Sequence, residues 1–88
     1  MQITQVRIRV IRDKPRLKAV ASITLDGELI LNDIKIIQSE ERLFVEFPKN
    51  PYVQDKSRNQ YIIVPTSMDV RSELEEKILS KYKMAVSA

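Results

Sequence analysis

Nine cations in two runs are the side chains best suited to a chemical task in this sequence. Arg7, Arg9, Arg12, Lys14, Arg16 and Lys18 occupy the amino-terminal segment, and Lys49, Lys56 and Arg58 fall in a polar stretch further on. Several Lys/Arg on one surface bind a polyanion by releasing the counterions condensed on its phosphates. Arg7 and Arg9, two apart on a strand, would project from one face about 7 Å apart, close to the spacing of adjacent phosphates along one nucleic-acid strand. The plainer reading is that they keep a small sheet soluble and blunt its edge.

The stretch Lys49-Asn50-Pro51-Tyr52-Val53-Gln54-Asp55-Lys56-Ser57-Arg58-Asn59 mixes cations, amides and an aromatic. Its Lys and Arg would position phosphates, its amides could read base edges, and Tyr52 could stack on an unpaired base. Alternatively it is an ordinary polar connection with Tyr52 packed on the sheet. Arg71 falls in the first turn of the helix that follows. The remaining helical charges read as a solvated face, with Glu73 and Lys77 at the favourable i,i+4 spacing.

Other chemistries are poorly served. The chain has no Cys and no His, hence no thiol nucleophile, imidazole base or Cys/His zinc site. Asp26 belongs to a turn, Asp33 to a strand, and Glu40 and Glu41 to a break, so spacing forces no pair of carboxylates together. No P-loop, Rossmann glycine pattern or helix-turn-helix signature is present. No enzymatic activity, cofactor, metal or small-molecule substrate is expected.

The elements that must hold these groups fit one small domain, since 88 residues are too few for two. A chain of this size buries only about 60–65% of its unfolded surface and here lacks disulfides, which makes self-association an expectation. The net charge of +3 is unevenly spread. Residues 1–18 have six Lys/Arg against Asp13 alone, whereas residues 19–48 have two against six acids. No apolar run approaches the ~20 residues of a bilayer span, and Met1–Val10 lacks the form of a secretory signal. A cytoplasmic protein is expected.

Val6, Ile8 and Val10 alternate with Arg7 and Arg9, which is strand period. Asp13-Lys14-Pro15-Arg16 breaks it with turn chemistry. A second strand runs Leu17–Leu25 with Leu17, Ala19, Ala21, Ile23 and Leu25 on one face. Asp26-Gly27 then predicts a tight hairpin turn into a third strand, Glu28–Ile37. Pairing Leu25 with Glu28 sets Ile23 opposite Ile30, Ala21 opposite Asn32 and Ala19 opposite Ile34. On the reverse face Val20, Leu29, Leu31 and Ile37 lie among polar residues, an apolar surface that should be partly covered. Leu43–Phe47 reads as a fourth strand and Gln60–Val64 as a fifth. Ser67 should cap a helix whose Val70, Leu74, Ile78, Leu79 and Tyr82 form a stripe through about Lys83. Residues 84–88 should fray.

Several blocks together resemble the SpoVG family, the stage V sporulation protein G or septation regulator proteins. They are Val6-Arg7-Ile8-Arg9, Lys18 through Asp26, Asn32 through Ile37, Leu43 through Pro48, and Pro65 through Asp69 with Arg71, collinear over about residues 1–83. The resemblance implies a small bacterial regulator that binds DNA, and in some members RNA, and that dimerises through its sheet. It also implies links to septum formation, sporulation and gene expression, with no catalysis. The family's nucleic-acid contacts correspond here to Lys49, Asn50 and Arg71. This chain departs from the family in Pro48-Lys49-Asn50-Pro51-Tyr52, which lacks one of two paired cations. It also has Val64-Pro65 where the family has His-Pro, Ser39-Glu40-Glu41-Arg42 in place of a glycine-rich turn, and no acidic tail.

The expectation is therefore an α+β domain, residues 1–83, with an antiparallel meander of about five strands and one carboxy-terminal helix. It would act as a homodimer on nucleic acid through Lys49, Asn50, Lys56, Arg58, Arg71, Arg7 and Arg9, away from any membrane. The alternative is a non-enzymatic module that docks a protein on its sheet face or edge.

Overall fold

The computed structural model describes residues 2–53 and 60–87. Four strands, β1 (Ile3–Val10), β2 (Leu17–Leu25), β3 (Leu29–Gln38) and β4 (Leu43–Glu46), form an antiparallel sheet in chain order. One helix, α1 (Met68–Ser87), follows. The α+β meander expected from the strand-period segments is thus present, with four strands rather than five. The proposed fifth strand makes only an isolated bridge between Lys49 and Tyr61. Its flanking bonds run from the Asn50 N–H to the Gln60 carbonyl at 2.7 Å and from the Ile62 N–H to the Pro48 carbonyl at 2.8 Å. Pro48 has no N–H to continue the β4 ladder and Pro65 fixes φ soon after, so these bonds pin the two ends of a loop and the sheet stops.

One face of the sheet is core. Ala19, Ala21, Ile23 and Leu25 of β2, Ile34 and Ile36 of β3, Val45, Phe47 and the helical Leu74 and Ile78 are all buried. The two small alanines leave room for the helix, which packs on this face against β1 and β4. Burying each of the larger apolar side chains, the isoleucines, leucines, Val45 and Phe47, stabilises by about 1.5–3 kcal/mol. Ser67 caps α1 as expected, its Oγ accepting from the Val70 N–H at 3.2 Å. The helix continues through Ser87 where fraying after Lys83 was expected. Met84 to Ser87 are exposed and include neither Gly nor Pro, so nothing in the sequence stops the helix at Lys83.

The hairpin departs from the expected register. Asp26 and Gly27 do take positive φ, 53° and 65°, and the Glu28 N–H closes the turn on the Leu25 carbonyl at 2.9 Å. The ladder, however, pairs Leu25 with Leu29 and Ile23 with Leu31. One residue more than a two-residue turn is therefore accommodated, which exchanges the faces near the turn. Leu31 packs on the core and Ile30 turns outward, 59% exposed. A bulge at Asn32–Asp33, with Asp33 at φ 62°, then sets Ala21 opposite Ile34 and Ala19 opposite Ile36. A second irregularity pairs Leu17 with Ile37 and turns Leu17 to the reverse face, although alternation placed it in the core.

Candidate nucleic-acid interface

The helix covers one face of the sheet, and the other displays its side chains in registered rows. The first row is Leu17, Ile37 and Phe44 on β2, β3 and β4. The second is Arg9, Val20, Lys35 and Glu46, one residue from each strand. The third sets Arg7 beside Ser22 and the Asn32–Asp33 bulge, and the fourth is Gln5, Thr24 and Ile30. Strand alternation makes these rows possible, because residues two apart return to the same face. The turn that joins β2 to β3 is clasped by the start of β1. Asp26 Oδ1 accepts from the Gln2 N–H at 2.8 Å, and Thr4 Oγ1 accepts from the Gly27 N–H at 2.9 Å. That clasp holds β1, and with it Arg7 and Arg9, in register.

The expected site residues separate into groups. Arg7 and Arg9 are exposed on the helix-free face, with Lys35 in the second row and Lys18 close by on β2. None of the ion pairs between described residues involves any of these four. Lys49 stands at the end of the second row, its ammonium 3.3 Å from Glu46 and 5.3 Å from the Tyr61 ring centroid. The hydrogen bond to Glu46, and then the field of Tyr61, hold its pKa above the ordinary lysine value. Lys49 consequently stays charged throughout the physiological range.

Asn50 has a structural task. Its Oδ1 accepts from the Tyr52 N–H at 3.0 Å and its carbonyl from the Val53 N–H at 3.2 Å. Asn followed by Pro51 in such a turn is local backbone chemistry, which occupies the side-chain oxygen. Tyr52 is 91% exposed, so it does not pack on the sheet. Lys56 and Arg58 lie outside the described residues. Arg71 belongs to the helix side: its Nε is 2.7 Å from Glu75 and its guanidinium lies 5.6 Å from the centroid of the buried Phe47 ring. The structure thus gathers Arg7, Arg9 and Lys49 along one face and places Arg71 in the other layer, already paired.

Lys35, Glu46 and Phe44 join this face without having been singled out as site residues. Alternation through Leu43–Phe47 was a usable signal for Phe44 and Glu46, whereas the turning of Leu17 left no trace in the residue pattern. Among the described residues no group of three or more His, Cys, Asp or Glu could hold a metal ion, and no helix is long and apolar enough to cross a membrane.

Comparison with known proteins places the chain in a family. The SpoVG family model matches residues 1–84. A protein of Finegoldia magna named "Putative septation protein SpoVG" is 42% identical over 82 residues, covering 93% of this chain and 74% of its own. Proteins of the same name are 40% identical in Clostridium botulinum, over 98% of this chain and 92% of the relative, and 36% identical in Caldanaerobacter subterraneus, over 97% and 91%. The match therefore spans both the cationic first strand and the helix, and this chain belongs to the SpoVG family.

Proposed function

We propose that the protein is a nucleic-acid-binding regulator of the SpoVG type, without catalytic activity, that works as a homodimer. One observation carries the reading: Arg7, Arg9, Lys18 and Lys35 share the helix-free face, and among the described residues no acid lies within ion-pair distance of them. An exposed cation without a partner gives its full charge to a phosphate, while one already paired must first exchange its acid. Lys49, past β4, is paired with Glu46 and adds to this face only by exchanging that acid for a phosphate. DNA and RNA share the phosphate chemistry, and relatives named as putative septation proteins support a role in septation.

A dimer formed through the sheet strengthens such binding. Antiparallel pairing at a sheet edge, about a two-fold axis perpendicular to the sheet, leaves both helix-free faces on the same side. Two modest phosphate sites then act together, the second at a high effective concentration. The test is a titration of DNA single strands, duplex DNA and RNA across a salt series, with light scattering for the oligomeric state. Affinity should fall steeply as salt rises. Binding indifferent to salt would refute the phosphate mechanism.

A protein partner is the second reading, favoured by the exposed apolar side chains Ile62, Val64 and Met68 just before and at the start of α1. Recovery of one stoichiometric protein, with no retention on nucleic acid at low salt, would select it.

A further inference from the structure

The first row of the helix-free face is unlike its neighbours. Leu17, Ile37 and Phe44 floor a shallow depression, and Arg16, Lys35 and Glu46 rim it. We propose that this depression takes one unpaired nucleobase, so that single-stranded nucleic acid is the preferred form of the partner; this rests on the nucleic-acid reading above. A duplex presents phosphates outward and keeps the faces of its bases stacked. An apolar floor containing an aromatic ring has nothing to gain from such a surface. A splayed base supplies a flat apolar face for Phe44 while its flanking phosphates meet Arg16 and Lys35.

The surroundings suit this occupant. Phe44 is half-buried and held in register against Ile37, so its ring sits on a strand and not on a loop. Glu46 is a carboxylate beside the expected path of a polyanion, but its charge is compensated by Lys49 at 3.3 Å, and its oxygens can accept from the exocyclic amine of a base. Arg42 lies 5.7 Å from the Phe44 centroid. It is exposed, so it is free to swing aside and close over the outer face of a stacked base. The next row brings Arg9 into line with Lys35, which extends the phosphate path from the depression toward β1.

The experiment compares a labelled oligothymidylate with a blunt duplex of equal length, titrated with wild-type protein, Phe44→Leu and Phe44→Trp. Leucine preserves the apolar row and removes the π-face; tryptophan keeps both. Phe44→Leu should weaken single-strand binding by about five- to hundredfold and leave duplex binding within about twofold, and Phe44→Trp should retain wild-type affinity. Unchanged single-strand binding by Phe44→Leu, or equal loss on both probes, would overturn the proposal. If both probes bind with normal salt dependence while Phe44→Leu is silent, only base stacking fails. If the wild-type protein binds neither probe at low salt, the nucleic-acid reading fails with it. Conversion of a dimer to a monomer by Phe44→Leu with binding intact would assign the face to a second copy and refute the base site.

Discussion

Replacing Arg7 and Arg9 together with Ala isolates the electrostatic contribution of the helix-free face. Both side chains are exposed and neither enters an ion pair among the described residues, so the fold should lose no more than about 0.5 kcal/mol per site. If each meets one phosphate of a single strand, the slope of log affinity against log salt becomes shallower by about 1.4, at about 0.7 per contact. Across a fourfold rise in salt the wild-type advantage then shrinks by about sevenfold. Fluorescence anisotropy of a labelled single strand at several salt concentrations measures the slope, and urea unfolding checks that the sheet is intact. A folded double variant with the wild-type slope would refute the assignment of the phosphate path to this face.

Three further outcomes follow from local geometry. Ser67→Ala removes the acceptor for the Val70 N–H and should cost about 1 kcal/mol in urea unfolding, with nucleic-acid affinity at low salt unchanged. Asp33 sits at φ 62°, so Asp33→Val should destabilise by about 1–2 kcal/mol while Asp33→Gly is tolerated; equal effects would show that the bulge does not strain a side chain. Lys49 has its pKa raised above 10.5, first by the hydrogen bond from its ammonium to Glu46 and next by Tyr61. Its contribution to stability is complete below the unfolded-state value and is lost as pH rises through the folded-state value. Unfolding midpoints of wild type and Glu46→Gln should therefore converge in alkali, and a constant difference through that range would contradict the linkage.

Local pattern was enough to find the major elements. Alternation gave the buried series Ala19, Ala21, Ile23 and Leu25, and four-residue spacing gave Leu74 and Ile78, because each pattern records one face of one element. What the pattern does not record is how two strands slide past each other. Asp26-Gly27 announced a turn correctly, yet whether Glu28 belongs to the turn or to the ladder depends on packing across the whole hairpin. Ile30 and Leu31 exchanged sides for that reason. Gln60–Val64 failed as a strand although its composition suits one, since Pro48 and Pro65 leave it no continuous partner. At the candidate interface, Arg7 and Arg9 were legible from strand period alone. The pairing of Arg71 with Glu75 was also available from i,i+4 spacing, while the Leu17, Ile37 and Phe44 row required the three-dimensional register.

The extra turn residue and the Asn32–Asp33 bulge offset each other in the pattern of sides along β3. The turn holds one residue beyond the minimum and the Asn32–Asp33 bulge adds another, so Ile34 and Ile36 return to the side they would occupy in an uninterrupted ladder. Each extra residue is taken up where it stands: without Asp33, Asn32 would face Ser22 and Ile34 would still face Ala21, and with a two-residue turn Leu29 would still face Leu25, so Ile34 and Ile36 would remain in the core. Single-residue changes in chain length are therefore tolerable at these two points, and homologous hairpins should vary in length at the turn and at the bulge while the sides of the residues beyond them stay the same.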